Sequence, residues 1–236
     1  MIMMPNNIAS SKKKNANDHP NLYKSSIYLF TSFLLAMFIL YIMLTAAGAV
    51  NINNANIALT LLFELLLPFS VFSYMSSKGM SIRSIIENLG LSKSNFSSKA
   101  LLIGLGIFAL YIVIIIAIGA YASASKIQIN SNVETVIGSM PLFMVVFAAI
   151  IAPFCEEIMF RGFLVPRIGI VISALIFAVL HGGYMSYIEL FMALWFGLIA
   201  GYAFKKQRSL YATILPHILV NSTTALLLIH SGIVPL

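Results

Sequence analysis

Two adjacent carboxylates and a guanidinium interrupt an apolar stretch at Ala152-Pro153-Phe154-Cys155-Glu156-Glu157-Ile158-Met159-Phe160-Arg161. A charge at the centre of a bilayer helix costs about 2.5–3.5 kcal/mol, so ionisable groups in such a setting mark a functional site. On a helix Glu157 and Arg161 are four residues apart with the acid first, the favourable order for an ion pair. Glu156 lies about 100° round the helix from Glu157 and is left to face something else. Taken alone, the segment also fits a charge cluster at the membrane surface.

Two further polar sets stand in later apolar stretches, Phe177-Ala178-Val179-Leu180-His181 and Pro216-His217-Ile218-Leu219-Val220-Asn221. His217 and Asn221 share one helix face, and Pro216 removes a backbone donor beside His217. A single intramembrane His or Asn is most simply an interhelical hydrogen-bonding residue. An acid, two imidazoles and a carboxamide converging from three spans supply more. They provide a general base, a partner to orient it or share its proton, and donors for an oxyanion.

The elements that must position these groups follow from composition. The chain is 60% hydrophobic and 9% charged, against about 25% charged in soluble proteins, and it holds several apolar runs of spanning length. Residues 1–25 are rich in Asn, Ser and Lys and are expected to be a disordered cytoplasmic tail. Residues 26–236 read as one transmembrane domain. Its first span covers 26 to about 50; Ala47-Gly48-Ala49 resembles a signal-peptidase site, but the apolar run is too long for a signal peptide. The second span, about 55–74, contains Glu64 one turn before Pro68, a buried acid read as interhelical glue beside a kink. Between residues 76 and 99, Ile82, Ile85, Ile86 and Leu89 recur at helical spacing, as in a short helix lying on the membrane surface. A third span covers about 100–122, followed by a polar loop over 123–139. A fourth starts near 140 and carries the Glu-Glu pair. After Pro166 and Gly169 come a short fifth span at about 170–181, a sixth at 189–204 and a seventh at about 210–229.

The predicted fold is therefore an all-α polytopic bundle of seven spans, and an eighth short or re-entrant segment is compatible with the pattern. With the N-terminus in the cytoplasm, Lys12, Lys13, Lys14, Lys24, Lys78, Arg83, Lys93, Lys99, Arg161, Arg167, Lys205, Lys206 and Arg208 fall inside and Lys126 outside. The net charge of +7 thus reflects membrane topology and not a nucleic-acid site. No internal repeat or Gly-rich phosphate loop is present, which counts against a transporter. At about 1.5 Å per residue, Glu156 falls roughly 10 Å from the cytoplasmic end of its span but His181 nearer 20 Å, a mismatch that tilt or a deeper start of the fifth helix must absorb.

Several protease chemistries fail on residue types alone. The sole aspartate is Asp18 in the tail, so an aspartyl pair is impossible, and no histidine is followed by glutamate as in a His-Glu-x-x-His zinc site. The Gly-x-Ser sequences at Gly79 and Gly90 lie in a cytoplasmic loop. The single cysteine, Cys155, allows no intramolecular disulfide, and in apolar surroundings its thiol is inert.

Glu156-Glu157-x-x-x-Arg161, Phe177-x-x-x-His181 and His217-x-x-x-Asn221 resemble, in order, the three motifs of the CAAX-protease and bacteriocin-processing (CPBP, or Abi) family of intramembrane endopeptidases. The resemblance covers roughly residues 140–225. It implies a membrane-embedded, all-helical protease in which Glu156 and His181 activate water, His217 and Asn221 hold the oxyanion, and Glu157 with Arg161 supports them. It further implies a peptide or protein substrate, lipidated or of the bacteriocin or signalling type, and a place in a bacterial plasma membrane. Metal-free glutamate catalysis is the favoured reading, with no cofactor. Zinc stays open, because Glu156, His181 and His217 also form a His2Glu ligand set. The competing function is a non-catalytic bacteriocin-immunity or membrane-binding protein on the same fold.

Overall fold

The structure is a computed structural model that describes residues 52–127, 133–184 and 186–234. The tail expected at 1–25 and the span expected at 26–50 lie outside the described residues. Within them every regular element is helical: α1 Ile52–Ser77, α2 Ile82–Asn88, α3 Ser98–Ala124, α4 Val133–Gly138, α5 Leu142–Ile168, α6 Ile170–Leu180, α7 Tyr187–Gln207 and α8 Tyr211–His230. Five of these, α1, α3, α5, α7 and α8, are long and apolar enough to cross a membrane, and α6 is a shorter apolar helix. The all-α polytopic bundle follows, and the chain is an integral membrane protein.

Local chemistry sets the boundaries. Ser81, Ser97 and Ser186 each accept a hydrogen bond from the backbone N–H three residues on, capping α2, α3 and α7. Arg208 takes the left-handed conformation that ends α7, and Gly169, at φ 87°, makes the sharp reversal from α5 into α6. The region expected as a plain polar loop over 123–139 contains one further helical piece, α4. Its Ile137 packs with Met140 against Val145, Ala225, Leu228 and Val234, an apolar contact that the loop's overall polarity conceals.

Helix α2 differs from the membrane-surface helix expected there. Ile85 and Leu89 are fully buried while Ile82 stays exposed, so half of the apolar stripe packs on protein. A Cβ on Gly162 of α5 would meet the Leu89 side chain at 3.0 Å, which shows how closely the two approach. The loop after α2 then ties down the start of α8: Leu210 N–H donates to Gly90 O at 3.1 Å, Asn95 Nδ2 to Arg208 O at 2.9 Å, Ser209 Oγ to Asn95 O at 2.7 Å and Tyr211 Oη to Leu91 O at 2.9 Å.

Small residues let α6 and α7 pack with backbones nearly touching. A Cβ on Gly197 would lie 2.9 Å from that of Ala174, and one on Gly201 2.9 Å from Ile170 Cγ2. At the end of the bundle where α1, α5 and α7 finish stand Lys78, Arg83, Lys93, Lys99, Arg167, Lys205, Lys206 and Arg208, with Lys126 beyond the other end of α3. Arg161, counted on the same side and read as the partner of Glu157, is 1% exposed inside the bundle. Its buried acid partner outweighs the pull of the positive-inside tendency.

Candidate active site

Helix α5 carries the Glu-Glu pair between two widened turns. Residues Ala152–Glu157 are regular α-helix, flanked by π-helical Phe147–Ile151 and Ile158–Leu164. Each widened segment ends just before a proline, Pro153 or Pro166, whose ring displaces the carbonyl four residues back and which offers no N–H. Ala152 N–H consequently bonds to Phe147 O and Val165 N–H to Phe160 O, five residues back. The next donor in that register would be Pro153, so Ala148 O is left open. Asn221 of α8 fills it, donating from Nδ2 at 3.0 Å.

The two glutamates face different partners. Glu157 is completely buried, and its Oε1 lies 2.7 Å from Arg161 Nη1 and 2.8 Å from His217 Nδ1. Thr213, one turn before His217, donates its hydroxyl to Leu210 O at 3.1 Å. The Arg161 guanidinium lies against two rings, 4.2 Å from the Phe177 centroid and 5.1 Å from that of Phe196. Cation–π attraction and the ion pair together make a buried arginine tolerable. Phe177 and Phe196 also lie 5.8 and 4.8 Å from the His217 ring, so the same two aromatics wall in both groups.

His217 joins the two carboxylates. Its Nδ1–H donates to Glu157, which turns Nε2 toward Glu156 at 3.5 Å from Oε2. Glu156 also stands beside Glu64 of α1, the helix packed against Ala152–Glu157. His181 caps α6, with Nδ1–H donating to Phe177 O at 2.9 Å and its ring 4.4 Å from that of Phe177, which leaves Nε2 with the lone pair in the neutral ring.

All six residues singled out in the sequence therefore sit on the facing helices α5 and α8 and at the end of α6. His217 stands with Nε2 beside Glu156, and one amide hydrogen of Asn221 braces the α5 backbone. The depth mismatch expected between Glu156 and His181 disappears, because α5 continues through Pro166 to Ile168. Glu156 is then about 18 Å along α5 from its end, and His181 about 16 Å along α6 from the same reversal at Gly169.

Sequence reasoning did not find Thr213, Phe196 or the role of Glu64. Thr213 carried a signal, since it shares the face of His217 and Asn221 at four-residue spacing; Phe196 carried none. Among the described residues no group of three His, Cys, Asp or Glu side chains stands together as metal ligands do.

No curated protein and no solved structure matches the chain. Residues 138–223, which span α5 to α8 and hold all three motifs, match a family model, and it agrees with the resemblance read from those motifs: Rce1-like, described as type II CAAX prenyl endopeptidase Rce1-like.

Proposed function

We propose that the chain is an intramembrane endopeptidase that hydrolyses a peptide bond with water activated by Glu156. The observation that carries this reading is His217, bound through Nδ1 to Glu157 and set with Nε2 beside Glu156, inside the matched segment. A buried acid held next to an oriented imidazole is the arrangement that general-base catalysis needs. In the reaction Glu156 removes a proton as the water oxygen bonds to the scissile carbonyl carbon. Negative charge then develops on the carbonyl oxygen, and the second amide hydrogen of Asn221 is its donor, while the His217 Nδ1–H stays on Glu157. As the C–N bond breaks, the proton held by Glu156 passes to the departing amine, leaving a carboxylic acid and an amine. His181, held to Phe177 O through Nδ1, presents Nε2 as a second acceptor for the water. Glu157 and Arg161 hold His217 and do not react. The substrate is a peptide or protein at the bilayer, of the lipidated or signalling-peptide class.

The test compares small secreted and lipidated peptides from a deletion strain complemented with the natural protein or with Glu156→Gln. A peptide released only by the natural protein supports proteolysis. A phenotype fully restored by Glu156→Gln points to a binding or immunity protein and overturns the reading.

A further inference from the structure

Outside the matched segment, α1 brings a third carboxyl to the site. Glu64 is 7% exposed, and it stands beside Glu156, on the helix that packs against Ala152–Glu157. Pro68, one turn on, lacks the N–H that would bind the Glu64 carbonyl. Two neighbouring carboxyl groups form a hydrogen bond only with one proton between them, since two carboxylates offer acceptors alone. Oε2 of each glutamate is buried without a hydrogen-bond partner among the described residues. The proton has a preferred home. Glu156 lies beside the His217 imidazole, whereas none of the ion pairs among the described residues involves Glu64.

We infer that Glu64 is a positioning residue for the reaction, a neutral carboxyl that donates its O–H to Glu156 and fixes the Glu156 carboxylate toward His217 and the water. The contact holds one Glu156 oxygen as acceptor and leaves the other for the incoming proton, so the base keeps one orientation through the turnover. It also explains why an acid stands in a span that the family motifs do not cover. A protein that needed only interhelical adhesion here would gain as much from a neutral amide without a shared proton.

This inference rests on Glu156 as the base, and its test separates the two ideas. The full-length protein in liposomes is compared with Glu64→Gln by infrared difference spectroscopy, in the region where a protonated carboxyl absorbs and a carboxylate does not. The expected result is a protonated-carboxyl band lost in Glu64→Gln and shifted in Glu156→Gln. Peptide release is then followed in strains carrying Glu64→Leu or Glu64→Gln at matched protein levels. Glu64→Leu should lower release about tenfold to a hundredfold, the scale of a slightly misplaced catalytic group. Glu64→Gln, which keeps an N–H donor, should restore most of it. A spectrum without that band, or equal release by the two variants, would overturn the inference. Neither result depends on whether Glu156→Gln is inactive, and the band is read without any substrate.

Discussion

The His217 imidazole donates to Glu157, sixty residues earlier in the chain, at 2.8 Å, and this bond ties the last matched helix to the helix that carries the acids. The same carboxylate oxygen receives Arg161 at 2.7 Å, and neither Glu157 nor Arg161 has measurable contact with the surroundings of the bundle. Glu157→Ala should therefore remove folded protein as well as activity. It leaves Arg161 buried without its counter-ion and His217 without its acceptor, a loss of about 3–5 kcal/mol for one broken member of a buried pair. Thermal melting in detergent checks this: Glu157→Ala should melt well below the natural protein, and an unchanged melt would show that the pair does not hold the bundle.

Much of this was legible because helical spacing alone decides which side chains share a face. Glu157 with Arg161, and His217 with Asn221, read correctly as same-face pairs, and hydropathy located α1, α3, α5, α7 and α8. What failed depends on contacts between helices. Nothing in the local sequence says that Asn221 would find Ala148 O, or that Glu64 would face Glu156 and not a neutral partner. The passage of α5 through Pro166 was hidden because a proline reads as a stop, whereas a widened turn can absorb it.

Orientation gives an independent test of the bundle. Among the described residues eight basic side chains gather at the end where α1, α5 and α7 finish, and Lys126 stands beyond the other end of α3. By the positive-inside tendency the first group faces the cytoplasm. Reporter fusions after Lys126 should read as external and fusions after Arg208 as cytoplasmic. A cytoplasmic readout at Lys126 would invert the map and remove the basis for placing the N-terminus inside.

Asn221→Ala separates two uses of one amide. One hydrogen is committed to Ala148 O, the carbonyl exposed by Pro153, and the other is available to a developing oxyanion. Losing an oxyanion donor should lower kcat by about 10²–10³ with KM little changed. Losing only the brace should lower stability instead, by about 1–3 kcal/mol for a buried carbonyl left unpaired. The expected outcome is the fall in kcat with a small drop in melting temperature; a lower melting temperature with full activity would remove Asn221 from the reaction.

The last prediction concerns the base itself. A glutamate that must accept a proton from water works only when ionised, so activity should fall on the acid side of the pH profile as Glu156 becomes protonated. Glu156→Gln should fold, because Glu156 stands outside the Glu157–Arg161 pair, and should lack activity at every pH. Its His217 contact is 3.5 Å, longer than the 2.8 Å bond to Glu157 that fixes the ring, so removing the Glu156 charge leaves His217 in place. With Glu156 as the base and no metal required, chelation should leave cleavage intact. The decisive comparison is purified protein before and after exhaustive chelation, followed by addition of Zn²⁺. Activity that vanishes on stripping and returns with one equivalent of zinc would make Glu156 a ligand and shift the role of base to a metal-bound water.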